Sequence, residues 1–384
     1  MQNIDNDVKN INTANADETN ADTAGAVNEA ATDIDKADIL SMNMDEIKEL
    51  MKRLGEPAFR AGQIFSWLHE KRVSSFEEMS NLSKALREKL AECCEIATLV
   101  PQEVLTSKID GTKKFLFALS DGNIIESVWM QYKHGNSVCI SSQVGCKMGC
   151  KFCASTLDGC VRSLKASEML GQIYRITDIT GERVSNVVIM GSGEPLDNYD
   201  NLIRFLELIS DEKGLCISQR NITVSTCGIV PKMLQLADLK PQITLALSLH
   251  ASNQKKREEL MPIAKAYEIH EVVDACKYYF DKTGRRITFE YSLVGGINDT
   301  DDDARELTQL IRGINCHVNL IPVNPIKERD YVSSEDRRVQ AFKLKLEKNG
   351  VHVTIRREMG RDISGACGQL RRSYLSDVPK EDKP

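Results

Sequence analysis

The sequence predicts an α/β fold in which a partial (β/α) barrel follows a small N-terminal helical domain and a β-hairpin extension. Seven apolar, β-rich runs occur after residue 136, and helix-length amphipathic segments separate most of them. Strands and helices that alternate in this way form right-handed βαβ units around a parallel sheet. The predicted strands are 137–141, 187–190, 222–225, 243–249, 287–294, 317–323 and 351–355.

Two segments are expected before the sheet. Residues 1–38 carry a net charge of −7 and are almost free of aromatic side chains. They cannot bury enough apolar surface to offset the entropy of ordering, so a disordered acidic tail is predicted. In residues 40–100, Ile47, Leu50 and Leu54 follow helical spacing, and two further amphipathic segments come after them. This pattern predicts a helical domain.

The remaining chain divides at the start of the predicted barrel. Residues 101–135 contain two β-rich runs that are joined at Asp121-Gly122, a strong hairpin signal. Residues 136–375 are predicted to form the α/β core. Together these boundaries give a tail, a helical domain, a hairpin extension and a core.

Composition limits the location and the class of the protein. The chain has neither an apolar run long enough to cross a membrane nor a secretory signal pattern, so a cytoplasmic protein without membrane contact is expected. Twelve cysteines in a reducing compartment indicate metal binding or catalysis for the clustered ones. Outside the tail the net charge is only +1, which neither demands nor excludes a nucleic acid. Basic pairs that could contact phosphates are Lys52-Arg53, Lys71-Arg72, Arg285-Arg286, Arg356-Arg357 and Arg371-Arg372.

Polar and glycine-rich residues follow the predicted strands, one strand after another. In (β/α) barrels the loops after the carboxyl ends of the strands carry the chemistry. The sequence therefore predicts that these loops meet at one rim. They are the cysteine-rich loop, GSGEP at 191–195, Ser225-Thr226, residues 248–250, residues 323–325 and GACG at 365–368.

Three cysteines in the first of these loops predict a metal site with an open position. Cys146, Cys150 and Cys153 follow the spacing C-x3-C-x2-C. Structural zinc sites and ordinary electron-transfer [4Fe–4S] clusters take four protein ligands, so three thiolates leave one iron available for a substrate. Cys160 could instead be a fourth ligand, which would give a ferredoxin-like cluster or a zinc site.

The cysteine spacing combined with G-x-G-E-P resembles the radical S-adenosylmethionine (SAM) superfamily. Further motifs are similar to those of the RlmN family of adenine-C2 RNA methyltransferases, and the resemblance covers about residues 40–375. These motifs are CISSQVGC at 139–146, MGSGEPL at 190–196, SLH at 248–250, GRRITFEY at 284–291, NLIPVNP at 319–325 and ACGQL at 366–370.

The resemblance implies two cofactors, a [4Fe–4S] cluster on Cys146, Cys150 and Cys153, and SAM on the open iron. Glu194 is expected to accept a hydrogen bond from the SAM ammonium group, although it could be an ordinary carboxylate of the rim. His250 could likewise be a buried core histidine. The full set of implied cofactor contacts is Gly193, Glu194, Ser225, Ser248, Leu249, His250 and Asn324.

The resemblance also implies covalent catalysis. C2 of adenine is electron-poor and cannot attack a sulfonium, whereas a thiolate can, so Cys367 is expected to take the methyl group first. A 5′-deoxyadenosyl radical then activates the methyl group for addition to C2. Cys139, placed at the start of the first core strand, is expected to release the product by forming a disulfide with Cys367. Glu126 is expected to accept the C2 proton. The alternatives are a buried strand cysteine and an ordinary hairpin glutamate.

The implied substrates are 23S ribosomal RNA at the peptidyl transferase centre and tRNA beside the anticodon. Both adenines must be unstacked to expose C2, and the helical domain is expected to hold phosphates. A monomer that receives one electron at a time from an external donor is expected. Two alternatives remain, a sister enzyme that methylates C8 of the same adenine and a non-catalytic iron–sulfur or zinc protein that binds RNA.

Overall fold

A computed structural model describes residues 36–133 and 135–370 and shows fourteen β-strands there. Most of the expected acidic tail and residues 371–375 of the expected core lie outside these residues. The strands are β1 (Ala37–Asp38), β2 (Cys94–Glu95), β3 (Val100–Thr106), β4 (Lys113–Ala118), β5 (Ile124–Tyr132), β6 (Gly135–Ile140), β7 (Gln143–Gly145), β8 (Cys160–Ser163), β9 (Val184–Ile189), β10 (Ile222–Thr226), β11 (Thr244–Ser248), β12 (Ile287–Leu293), β13 (Cys316–Pro322) and β14 (His352–Ile355).

Ten of these strands form one large sheet in the order β14-β13-β12-β11-β10-β9-β6-β5-β4-β3. The seven strands from β6 to β14 in this sheet run parallel, as the alternation of strands and helices predicts. The order is linear, with β14 and β3 at opposite edges, so the barrel is open. The predicted α/β fold with a partial (β/α) barrel is therefore confirmed.

Ten α-helices in the described part of the chain accompany the sheet. They are α1 (Met44–Arg53), α2 (Arg60–Phe65), α3 (Lys84–Cys93), α4 (Ala166–Thr180), α5 (Tyr199–Ser210), α6 (Val230–Asp238), α7 (Gln254–Leu260), α8 (Ile269–Thr283), α9 (Asp301–Leu310) and α10 (Asp336–Lys348). The helix predicted around Ile64 and Leu68 is α2 followed by a π-helical turn, Ser66–Glu70. None of the described helices combines the length and apolarity that a membrane span requires.

Two sequence-based expectations differ from the structure. Ala37 and Asp38, expected in the disordered tail, form β1 and pair in parallel with Cys94 and Glu95. The hairpin β4–β5 is present, but β3 pairs with β4 and β5 pairs with the first core strand, β6. The extension is thus three antiparallel strands added to the core sheet.

One hydrophobic core runs from the N-terminal helices to the last strand. Buried side chains from α1, α4 and β12, such as Met51, Leu170 and Phe289, belong to the same contiguous cluster. The sheet face opposite the helices carries Cys139, Ser225, Glu290 and other polar or reactive side chains. The fold therefore leaves a polar interior face on which a site can be built.

Candidate active site

The carboxyl ends of the parallel strands meet around a cavity of about 150 Å³, here called the cysteine cavity. Its wall includes most of the site residues that were predicted in the loops at the carboxyl ends of the strands. Those present are Cys146, Cys150, Cys153, Gly193, Glu194, Ser225, Ser248, His250, Asn324 and Cys367. Residues that are up to about 220 positions apart in the sequence are thus brought into one site, as predicted.

The loop that carries the three cysteines lies between β7 and β8 and is shaped by glycine. Gly145 has φ +78°, and a Cβ there would lie 2.0 Å from the carbonyl oxygen of Gly159. The amide of Cys146 donates to that same carbonyl at 2.8 Å. The Thr156 hydroxyl donates to the carbonyls of Cys150 and Cys153 at 3.0 and 2.9 Å. These bonds fix the main chain of the loop, and all three cysteines line the cavity.

The three thiols share an apolar, desolvated setting. Burial raises the pKa of Cys146 to about 12 and raises the pKa values of Cys150 and Cys153 as well. A cationic centre would hold them as thiolates, because metal ligation displaces the thiol proton. Within residues 36–133 and 135–370, no three His, Cys, Asp or Glu side chains converge closely enough for a single metal ion. The three cysteines instead lie around the cavity wall.

The GSGEP loop packs tightly against the chain after β6. A Cβ at Gly191 would lie 2.7 Å from the carbonyl oxygen of Ile140, and one at Gly193, where φ is +109°, would lie 2.7 Å from Gln143. The Glu194 carboxylate accepts from the amides of Cys227 at 2.7 Å and Leu196 at 3.0 Å. Burial raises the pKa of Glu194 and these bonds oppose it. Glu194 is thus a fixed, buried carboxylate on the cavity wall.

The ends of β10 and β11 contribute hydroxyl groups and a neutral histidine. The Oγ atoms of Ser225 and Ser248 are 3.3 Å apart. His250 accepts a hydrogen bond at Nδ1 from the amide of Ser292 at 2.9 Å, and burial lowers its pKa to about 3. Leu249 differs from the other predicted contacts, because its side chain lies in the main core. Any ligand contact of Leu249 would come from its main chain.

A second cavity of about 600 Å³, here called the adjoining cavity, shares part of its wall with the cysteine cavity. Cys139 lines the adjoining cavity, and burial raises its pKa to about 12. It is the fifth residue of β6, so its expected position at the start of the strand was wrong. The shared wall consists of Met190, Ile321, Val323, Asn324, Arg356 and Cys367.

Cys367 is positioned by hydrogen bonds to its own carbonyl and to the carbonyls of two residues that follow it. The Asn324 amide donates to the Cys367 carbonyl at 2.9 Å. The Gly368 carbonyl accepts from the amide of Ala154 at 2.8 Å, and the Leu370 carbonyl accepts from the Ser155 hydroxyl at 2.7 Å. These contacts fasten the Cys367 loop directly to the cysteine loop.

Arg356 belongs to a basic pair that the sequence left open as a phosphate contact or an ordinary surface charge, and the structure places it beside both cavities. It follows β14 and lines both cavities. Its Nη1 lies 3.9 Å from Oε2 of the buried Glu290 and 3.4 Å from the Met190 sulfur. Electrostatic interaction with Cys367 and Glu290 raises the pKa of Arg356. Arg356 directly follows β14, so the expectation that chemistry lies after strand ends could have identified it, whereas Glu290 lies in the middle of β12.

A further thiol was missed. Cys227, which follows β10, lines the cysteine cavity, whereas Cys160 does not. Cys160 lies in β8, paired with Gly145. Cys227 is thus better placed than Cys160 to be a fourth protein ligand of a metal site. Its position directly after Ser225-Thr226 was the available signal.

Glu126 is not among the residues that line either cavity. It lies in β5 and forms a buried ion pair with Lys114, with Nζ 3.2 Å from Oε1. Side chains alternate along a strand, so Glu126 shares its face with Val128 and Met130, both of which line the adjoining cavity. The structure therefore places Glu126 beside the adjoining cavity.

Two family models match the chain. The N-terminal domain of ribosomal RNA large subunit methyltransferase RlmN matches residues 37–96, and the radical SAM superfamily matches residues 140–311. The first range covers the N-terminal helices. The second covers the cysteine loop and the parallel strands β9 to β12.

Whole-chain relatives are similar over almost their full length. A protein of Lachnospira eligens named "Probable dual-specificity RNA methyltransferase RlmN" is 65% identical over 90% of this chain and 99% of its own. A Clostridium perfringens protein of the same name is 57% identical over 88% and 97%. The crystal structure of a radical SAM methyltransferase from Sphaerobacter thermophilus superposes with a TM-score of 0.83 at 40% identity, over 88% of this chain and 99% of that one.

Proposed function

The chain belongs to the RlmN family of radical SAM RNA methyltransferases, and on that premise we propose that it methylates C2 of adenine in 23S ribosomal RNA and in tRNA. The methyl group passes through an S-methylcysteine at Cys367. The observation that carries this proposal is that Cys367 lies in the wall between the two cavities. One side can meet a methyl donor and the other an adenine.

The cysteine cavity fits a three-thiolate iron–sulfur cluster. Cys146, Cys150 and Cys153 are spread around its wall, and a cluster binds each thiolate to a different iron. The buried Glu194, the Ser225 and Ser248 hydroxyls and His250 surround the space that remains for SAM. When bound, the cluster and SAM supply a methyl group, an electron and a 5′-deoxyadenosyl radical.

Cys367 is the proposed methyl acceptor. Its thiolate forms an S–CH3 bond as the donor's sulfonium S–CH3 bond breaks, which leaves a neutral thioether. The guanidinium of Arg356 lies on the same shared wall as Cys367. Asn324 and Ala154 hold the loop main chain, so the sulfur can face either cavity with little movement of the loop.

Cys139 is proposed to release the product. Its thiolate attacks the Cys367 sulfur, and the bond from that sulfur to the product carbon breaks with its electron pair going to the carbon. The carbon takes up a proton to complete the methyl group, and a disulfide remains that cellular thiols reduce. Burial keeps Cys139 protonated before this step, because its pKa is raised to about 12. Premature exchange with solvent oxidants is thereby disfavoured.

Glu126 is proposed to accept the C2 proton. Its carboxylate shares a strand face with residues that line the adjoining cavity, and Lys114 at 3.2 Å stabilises its negative charge. The adjoining cavity, at about 600 Å³, is large enough for an unstacked nucleoside. Bases modified in this way are splayed out of their stack.

The proposal is tested with anaerobically reconstituted protein, SAM, a one-electron reductant and RNA. Wild type is expected to yield 2-methyladenosine in digested RNA, detected by mass spectrometry against the 8-methyl isomer. Cys367→Ala is expected to yield none, whereas Cys216→Ala, a change at an exposed cysteine outside both cavities, retains activity. A methylated product from Cys367→Ala would refute the covalent route, and the 8-methyl isomer would assign the chain to the sister activity.

A further inference from the structure

Arg257 is a fully buried cation in helix α7, and it has no carboxylate partner in the described part of the chain. Its Nη2 donates to the Cys227 carbonyl at 2.6 Å, and its Nη1 reaches the Tyr267 carbonyl only at 3.5 Å. Nε makes no hydrogen bond to any described residue. A guanidinium in this setting is costly, because buried charges are normally paired with an opposite charge.

Two partly buried arginines show what is missing. Arg162 pairs with Glu168 at 2.8 Å, and Arg356 lies 3.9 Å from Glu290. Arg257 has only two main-chain carbonyls, although none of its surface is exposed to solvent. The fold therefore keeps a positive charge at a place where the described protein residues supply no negative one.

The groups around Arg257 indicate where the compensating charge belongs. Burial lowers the pKa of Arg257, and the thiols of Cys227, Cys150 and Cys276 oppose that effect. Of these three thiols, Cys227 and Cys150 line the cysteine cavity. Arg257 itself is not part of the cavity wall. A Cβ at Gly228 would lie 3.3 Å from Nη2, so the chain after Cys227 closely covers the guanidinium. The cation is thus enclosed directly behind two residues of the cavity wall.

We propose that Arg257 is the counterion of the iron–sulfur cluster, a positioning residue that helps the protein to retain the cluster and favours its reduced state. The inference rests on the proposed cluster at Cys146, Cys150 and Cys153. A cluster bound to three thiolates carries negative charge, and an added electron makes it more negative, so a nearby fixed cation stabilises both the bound and the reduced forms.

The test compares Arg257→Met, Arg257→Lys and wild type after anaerobic reconstitution, with Arg204→Met as the control. Arg204 lies on α5 and pairs with Glu46 and Glu207. Reductive titration followed by electron paramagnetic resonance is expected to give a more negative midpoint potential for Arg257→Met only. Iron retention against a chelator is expected to fall about tenfold, as is common when a residue that supports metal ligands is lost.

A second measurement separates this role from simple packing. In protein freed of iron, Arg257→Met is expected to unfold at the wild-type temperature or higher, because an uncompensated buried charge has been removed. Addition of the cluster should then stabilise the variant less than it stabilises wild type. Equal loss of stability with and without iron would indicate packing alone and overturn the inference.

The remaining outcomes are also decisive. If Arg257→Met binds a cluster with unchanged potential and retention, Arg257 is not the counterion. If Arg257→Met fails to fold, Arg257→Lys, which keeps the charge, must retain the wild-type potential for the proposal to stand. A wild-type chain that assembles no cluster at all would refute the proposed function instead, and this inference with it.

Discussion

A buried histidine makes the stability of this protein depend on pH in a way that can be calculated. His69 lies in the π-helical turn after α2, has no exposed surface, and places Nδ1 2.8 Å from the Tyr174 hydroxyl. Burial lowers its pKa to about 3. The perturbation is His69→Gln, which removes the titration and keeps a hydrogen-bonding group near Tyr174.

The expected change in unfolding free energy follows from the linkage between proton binding and folding. In the unfolded chain His69 titrates near its ordinary pKa of about 6.5, so between that value and about 3 the unfolded state binds the extra proton. The stability due to neutral His69 is therefore present above about pH 6.5 and is lost as the pH falls toward 3. At pH 5 the loss is about 2 kcal/mol, from 1.5 pH units at about 1.4 kcal/mol each.

Urea unfolding at pH 7 and pH 5 checks this prediction. Wild type is expected to lose about 2 kcal/mol more unfolding free energy between the two values than His69→Gln does. The control is His352→Gln at an exposed histidine, which is expected to behave like wild type. Equal losses in wild type and His69→Gln would show that His69 does not remain neutral in the folded protein, and would refute the reasoning.

Three further predictions concern the site. Cys139→Ala is expected to accumulate a covalent protein–RNA adduct that migrates slowly in a denaturing gel until nuclease is added, whereas Cys216→Ala is expected to form none. An adduct-free Cys139→Ala enzyme with full activity would contradict its role in release. Gly193→Ala is expected to weaken SAM binding about tenfold or more, about 1.4 kcal/mol, in equilibrium dialysis, because its Cβ would lie 2.7 Å from a neighbouring side chain at a φ of +109°. Gly62→Ala, with open space at its Cβ, is the control, and equal SAM affinity in both would remove the steric argument. Cys227→Ser is expected to retain the wild-type iron content, and a loss of iron would identify Cys227 as a fourth ligand.

Most of the fold could be predicted because the core strands are short apolar runs with helices between them. The predicted run 187–190 and the observed β9 differ only at their ends, and the same is true of β12. The edge strand β3 was missed, since half of its residues are exposed and Pro101 interrupts its pattern. Pairing at an edge depends on the neighbouring strand, which local sequence does not specify.

The candidate site was predictable where a side chain lies at or just after the end of a strand, as with Ser225 and Glu194. Arg356 was missed because two adjacent arginines are usually a surface feature, although its position directly after β14 places it where the other loops of the site meet. Arg257 was missed for a related reason. An amphipathic helix rich in charge gives no indication that one of its cations is enclosed.

The hydrogen bond from Ala154 to Gly368 has a consequence for how the enzyme fails. It joins the loop that carries the proposed iron ligands to the loop that carries the proposed methyl acceptor. Oxidative damage that removes iron would release both loops together. Under oxygen stress the protein would thus lose all of its activity in one step. It would not pass through a partly active form that uses SAM to methylate Cys367 but cannot complete the reaction.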